Sequence, residues 1–251
     1  MDRRRALGLF AGLALCPLCA RKSLAAEGHH WGYEGAGGPA RWGDLDKANQ
    51  ACSIGAQQSP IDIEETIRAE LPALRINWAG ALETIVNNGH TIQLNAAPGS
   101  TLKLGDVEYK LLQFHFHRPS EHLINGKSFP MEVHFVHQNA AGGLAVVGVL
   151  MATGGANAAF NKVVGTMPKQ AGSTAKADAA INPNEFLPPT LTYYRYPGSL
   201  TTPPCSETVE WLLLTESVKV GDADIAAFAG LYAMNARPAQ KNNRRAVLRS
   251  G

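Results

Sequence analysis

The sequence predicts a mainly β, α+β fold: one large, mostly antiparallel, twisted sheet with short helices at its periphery. Three observations lead there. From Ile85 onward the chain is a series of short apolar runs broken by turn residues. The 25 glycines and 15 prolines among 251 residues supply many turns. Only two segments are good helix candidates. With 45% hydrophobic and 18% charged residues, a sizeable core can be buried, which argues against global disorder. No repeat is visible and no linker divides residues 27–251, so one domain is expected.

The first 26 residues read separately. Arg3, Arg4 and Arg5 precede an apolar run, Ala6 to Ala20, and "SLAAEG" offers small residues for cleavage after Ala25 or Ala26. This is the pattern of an export signal, and the run is short for a membrane span. The arginine pair also resembles a twin-arginine signal. Leucine before Cys16 and before Cys19 argues against a lipoprotein. The segment holds five basic residues and one acid, so its removal turns the counts of 23 basic and 21 acidic residues into 18 and 20, a net charge of −2. Nothing in that balance suggests a nucleic-acid partner, and no membrane contact is expected after cleavage. Only Cys52 and Cys205 then remain. In an oxidising compartment they are a natural disulfide pair, the alternative being two buried free thiols.

Residues 37–63 are irregular and turn-rich. The strand text follows: "TIVNNGHTIQLN", "TLKLGDVEYKLLQFHFH", "MEVHFVHQN" and "LAVVGVLMAT", with "INGKSFP" as a connection. "NAAFNKVVGTM" and "DADIAAFAGLYAM" are the helix candidates, the second capped by Asp222 or Asp224.

The chemistry concentrates in "LLQFHFHRPSEH", which carries three of the eight histidines. On a strand, His115 and His117 point to one face, about 7 Å apart, while Phe114 and Phe116 point to the other. Residues 118–130 allow an antiparallel return, which sets His134 of "MEVHFVHQ" across from the pair. Three neutral imidazoles leave the fourth tetrahedral position open, the pattern of a catalytic zinc site. Gln113 and Glu132 each precede a ligand by two residues, share its face, and can accept an imidazole N–H. His122 and His137 do not share that face and read as structural.

At this point the chain resembles a known family. "QFHFH", "SEH", "EVHFVH" and "YPGSLTTPPC" look like the signature segments of the alpha-class carbonic anhydrases. "HHWGY", "QSPIDI", "NNGH", "LAVVGVLM", "VEWLLL" and "NARPAQ" follow the same family in the same order, over nearly all of His29 to Arg245. The resemblance implies a zinc enzyme that interconverts carbon dioxide and bicarbonate by attack of zinc-bound hydroxide. It implies His115, His117 and His134 as ligands, Thr201 as the gatekeeping hydroxyl, Glu121 as the carboxylate that orients it, and His90 as proton shuttle. Val136, Val146, Leu200 and Trp211 match the family's apolar substrate pocket. Tyr33, Asn88, Gln93 and Thr202 match its polar, water-ordering side, with Gln93 where asparagine is more usual. Ser59–Pro60 and Pro203–Pro204 match cis peptides, and Cys52 and Cys205 match the disulfide of exported members. Sulfonamide and anion inhibitors are implied too, as is a possible homodimer.

Two other functions compete. Some relatives lack the ligands and serve as recognition domains, but all three histidines, Glu121 and Thr201 are present here. Zinc storage would need the histidines alone and gives no reason for Thr201, Glu121 and His90. No H-E-x-x-H occurs, which argues against a metalloprotease. The expected location is the periplasm, or the medium if the chain is secreted.

Overall fold

The structure is a computed structural model and describes residues 30–251. The export signal expected over residues 1–26 lies outside them. A 13-stranded sheet dominates the described residues. Its central order runs Leu82–Asn87, Ile92–Ala96, Val107–His117, Met131–Asn139, Leu144–Ala152, Val209–Leu214, Tyr193–Gly198. The neighbours from Leu82–Asn87 through Leu144–Ala152 are antiparallel, but Leu144–Ala152 pairs parallel with Val209–Leu214. Parallel neighbours need a long connection, and here it runs through the helix Ala158–Thr166, the strand Thr174–Lys176 and the strand Tyr193–Gly198 before Val209–Leu214. The sheet is mostly antiparallel, as expected, with a few parallel pairings within it. Residues 37–63 hold short helical turns, among them Pro39–Arg41, Trp42–Leu45 and Ala51–Ile54, and end in the two-residue strand Asp62–Ile63.

Both faces of the sheet are buried, and the two-residue period sorts the side chains. One face buries Phe114, Phe116, Val133, Phe135, Val147 and Val149 against Phe160, Phe186 and Phe228. Each such side chain contributes about 1.5–3 kcal/mol by leaving water. The other face carries Val136, Val146, Leu150, Trp211 and Leu213. A β-bulge between Leu111 and Gln113 decides which residues of Val107–His117 go where. Before it, Tyr109 and Leu111 are buried; after it, Phe114 and Phe116 are, and Leu112 is left exposed. One extra residue inverts the facing of everything beyond it. Without the bulge the two histidines would point into the phenylalanine core.

The first predicted helix forms as Ala158–Thr166, with the Asn157 side chain capping Phe160 N–H. The second forms as Asp222–Ala229 and ends at Gly230, short of the expected Met234. Neither Asp222 nor Asp224 caps it: Gly221 stands at the N-cap, and both aspartates lie in the first turn, where they favour the positive end of the helix dipole. The two expected cis prolyl bonds are present, and Arg118–Pro119 is a third. In the connection to Met131–Asn139, Asn125 and Gly126 both have positive φ, at 50° and 75°, which suits the Asn-Gly pair of a tight hairpin turn. Cys52 and Cys205 are joined, with Cα atoms 5.0 Å apart.

Candidate metal centre and its cleft

His115 lies directly opposite His134 in the ladder, and His117 is two residues on. Ligand nitrogens of the three rings all fall within 4.8 Å of one another. Which nitrogens face inward follows from what the others do. His115 Nδ1 sits 2.8 Å from Gln113 Oε1, and His117 Nδ1 sits 2.8 Å from the Asn235 carbonyl. His134 Nε2 sits 2.7 Å from Glu132 Oε1. Each partner is an acceptor, so each of these nitrogens carries its proton, and His115 Nε2, His117 Nε2 and His134 Nδ1 are left with lone pairs. His117 Nε2 is buried and has no hydrogen-bond partner. Burial pushes the His115 pKa well below the usual imidazole range and the His117 pKa down to about 4. Three neutral nitrogen donors, one orphaned in a dry site, are a donor set that fits zinc.

Glu132 organises more than its ligand. Its Oε2 accepts the main-chain N–H groups of Glu121 and His122, each at 2.9 Å, and its Oε1 also takes His122 Nδ1 at 2.7 Å. Burial opposes that charge, but His122, His134 and their hydrogen bonds overcome it and hold the carboxyl well below its usual range. His122 is occupied on both sides, with Nε2 2.6 Å from the Tyr196 hydroxyl. His122, Glu132 and His134 thus form a hydrogen-bonded cluster, and His122 is structural as expected. His137 is too: Trp78 Nε1 donates to its Nε2 at 3.0 Å on the opposite face. Gly148 stands opposite His134, where a Cβ would come 2.8 Å from Leu213 Cδ1 and 3.1 Å from Glu132 Oε1.

Glu121 is fully buried beside the centre, its Oε1 3.5 Å from His117 Nδ1 and its Oε2 3.8 Å from His134 Nδ1. The main-chain N–H of Arg237 donates to its Oε1 at 2.8 Å. Burial lifts its pKa to about 7, against the opposing pull of His134, the Thr201 hydroxyl and that N–H. Thr201 lies near enough to favour the carboxylate, although Oε2 forms no bond of full hydrogen-bond geometry. The loop that bears Thr201 is stitched to Ser59: Ser59 N–H donates to Ser199 Oγ at 2.9 Å, and Ser199 N–H to Ser59 Oγ at 3.1 Å. Gly198 makes that approach possible, since a Cβ there would meet Ser59 Oγ at 2.2 Å.

A cleft of about 120 Å³ opens onto the centre, lined by His115 and His117 with Tyr33, Asn88, Gln93, Gln113 and Thr202 on its polar side. His90 lines the same cleft and stacks on Trp31, ring centroids 3.6 Å apart, with His30 5.1 Å away. Partial burial and the nearby His30 lower its pKa. Asn88 Oδ1 accepts the N–H groups of His90 and Thr91, each at 2.9 Å. Gln93 is held between Asn88, at 3.4 Å, and Asn95, at 2.7 Å. Val136, Val146 and Trp211 pack together with Leu200, and the Trp211 ring lies 4.9 Å from that of His134.

Of the residues singled out from the sequence, Tyr33, Asn88, His90, Gln93, Gln113, His115, His117 and Thr202 line one cleft, with Glu121, Glu132 and His134 beside it. Cys52 and Cys205 pack in a separate cluster, and His137 lies on the opposite face. Asn235 and Arg237 were missed as partners of His117 and Glu121. Both act through main-chain groups, and the only trace in the sequence was the "NARPAQ" segment.

A family profile described as "Eukaryotic-type carbonic anhydrase" matches residues 37–251. The chain belongs to the alpha-class carbonic anhydrase family. A carbonic anhydrase of Pectobacterium carotovorum is 40% identical over 225 residues, covering 89% of this chain and 92% of that protein. A carbonic anhydrase of Neisseria gonorrhoeae is 41% identical over 234 residues, covering 92% of each. The solved alpha-carbonic anhydrase of Thermovibrio ammonificans, in complex with the inhibitor sulfanilamide, superposes with a TM-score of 0.85 at 40% identity, over 87% of this chain and 98% of that one. The family assignment makes this chain an enzyme whose reaction is carbon dioxide hydration.

Proposed function

We propose that the chain hydrates carbon dioxide reversibly at a zinc ion held by His115, His117 and His134, with Glu121 and Thr201 as an orienting pair and His90 as proton carrier. The carrying observation is the convergence of three imidazoles, each fixed in one tautomer by a separate acceptor. Zinc, when bound, supplies a Lewis acid that lowers the pKa of coordinated water to near neutrality. The chain's own residues do the rest. Gln113, Glu132 and the Asn235 carbonyl aim the rings and raise their basicity. Glu121, held by Arg237 N–H, takes the Thr201 proton in a hydrogen bond. The Thr201 oxygen is then left only its lone pairs toward the centre, so it selects a donor there and fixes that donor's orientation. Val136, Val146, Leu200 and Trp211 hold carbon dioxide by dispersion without a directional bond. Loose binding of this kind keeps substrate from being stabilised more than the transition state.

Hydration releases a proton that must leave the cleft. His90 suits that task, because an imidazole titrates near neutral pH and its lowered pKa favours passing the proton on. Tyr33, Asn88, Gln93 and Thr202 line the side on which water would bridge His90 to the centre. The disulfide supports an oxidising compartment, and with the export signal we place the mature chain in the periplasm. No described helix is long and apolar enough to cross a membrane.

The test is stopped-flow carbon dioxide hydration by the purified mature chain, with zinc measured on the same sample. Rapid hydration with about one zinc per chain, abolished by sulfanilamide, is the expected result. One zinc without hydration would refute the catalytic reading and favour storage.

A further inference from the structure

The segment after the second helix meets the centre with more than its main chain. Asn235 is fully buried. Its Nδ2 donates to the His90 carbonyl at 3.0 Å and to the Phe116 carbonyl at 2.9 Å. Its Oδ1 accepts Arg118 N–H at 2.7 Å, and its own N–H donates to the Arg118 carbonyl at 2.8 Å. Its carbonyl is the acceptor for His117 Nδ1. Each hydrogen-bonding group of the residue is therefore used, and all of them go to two places: the end of the Val107–His117 strand and the turn that carries His90.

We propose that Asn235 is a positioning residue that sets the His90 turn and the His117 ring relative to each other through its carboxamide. The proposal rests on the metal-centre and shuttle reading above. The geometry asks for asparagine in particular. Two carbonyls, that of His90 in its turn and that of Phe116 on the strand, must be reached from one nitrogen, while the Arg118 N–H needs an acceptor on the same planar group. A carboxylate lacks both donors, and alanine lacks everything. Asn88 fixes the turn through the turn's own main chain. The Thr91 hydroxyl ties its flank to Phe116, and the Tyr232 hydroxyl bonds Asn87 and Thr91. Asn235 is the bond at the His90 carbonyl itself, joining it to the residue that aims His117. Moving the Asn235 main chain moves the acceptor of a zinc ligand, and losing its Nδ2 removes the donor that holds the His90 carbonyl. One side chain thus affects both how long metal stays and how well protons leave.

The test compares Asn235→Ala and Asn235→Asp with Asn157→Ala in the zinc-loaded full mature chain. Asn157 is the cap of Ala158–Thr166; its side chain also makes two bonds, to Phe160 N–H and the Glu185 carbonyl, and it does not line the cleft. Zinc release to a chelator, turnover at low and high imidazole, and Tm are measured on each. Release up to about tenfold faster in both Asn235 variants is expected, no more than the lower end of the effect of losing an outer partner outright, because the main-chain carbonyl remains and only its placement is loosened. So is a several-fold fall in turnover at low buffer, largely restored by imidazole. Asn157→Ala should lower Tm and leave both readouts at the wild-type value. Asn235 variants that lower Tm like Asn157→Ala, with unchanged zinc release and buffer dependence, would overturn the proposal. So would failure of both Asn235 variants to fold, which would make the residue structural only. A wild-type chain that takes up no zinc would refute the metal-centre reading itself, a result the variants cannot mimic.

Discussion

Replacing Glu132 with glutamine should weaken both the fold and the metal site. The substitution keeps the shape and removes the charge. Glu132 accepts four hydrogen bonds from N–H groups, two on each oxygen, all between 2.7 and 2.9 Å. A glutamine amide has one oxygen, so one pair of donors would face an NH₂ group. If the amide nitrogen takes the Oε1 place, His122 and His134 lose their acceptor; if it takes the Oε2 place, the Glu121 and His122 main-chain N–H groups do. Two buried donors left unpaired cost about 1–3 kcal/mol each, or about 2–6 kcal/mol in total. For a domain of this size that corresponds to a fall in Tm of roughly 4–24 °C, at 2–4 °C per kcal/mol. The ring of His134 would also lose the carboxylate that fixes its tautomer, which should weaken zinc binding about 10- to 100-fold. Thermal unfolding of the metal-free chain measures the first effect, and competition with a zinc chelator measures the second. A Tm within about 2 °C of wild type together with unchanged zinc affinity would refute the assignment of Glu132 as the common acceptor.

Three further outcomes are expected. His90→Ala should retain zinc and turn over more slowly, by the 10²–10⁴-fold typical of a lost proton-transfer group or less, with partial rescue by imidazole; an unchanged rate would mean another proton path. Cys52→Ser with Cys205→Ser opens a loop of sequence separation 153, worth about 5 kcal/mol in the chain-entropy model, so Tm should fall by at least roughly 10 °C at 2–4 °C per kcal/mol; a smaller fall than about 3 °C would refute that contribution. His137 carries a pH dependence whose sign is fixed. Burial lowers its pKa from 6.5 to about 4, so the unfolded chain binds the extra proton between those values. The contribution is whole above pH 6.5 and is lost as pH falls toward 4, by about 3 kcal/mol at 1.36 kcal/mol per unit. Denaturant unfolding of wild type and His137→Asn at pH 7 and pH 4 should show the stability difference between them shrinking by that amount, and a constant difference would refute it.

Much of the site was legible in the linear text because strands alternate faces. That period placed His115 and His117 together, put Gln113 and Glu132 on the faces of their ligands, and brought His134 across on the antiparallel return. Glu121 and Thr201 carried no such signal. One reads as a charge in a turn and the other as part of a loop, and only the likeness of whole segments to a family marked them. The sheet was legible as a mostly antiparallel one, but its few parallel pairings were not. The pairing of Leu144–Ala152 with Val209–Leu214 is parallel, and apolar strand runs look the same whichever way a neighbour points. The bulge at Leu112 was hidden for a similar reason, since one residue too many shows only when a partner strand is laid beside it. By itself, then, the sequence determined which side chains could bind metal and accept an imidazole proton, because those are properties of residue type and local period. The tertiary structure decided what aims His117 and what holds Glu121. Those are a carbonyl from Asn235 and an N–H from Arg237, main-chain groups nearly identical in every residue, which gain a role only from where the chain brings them.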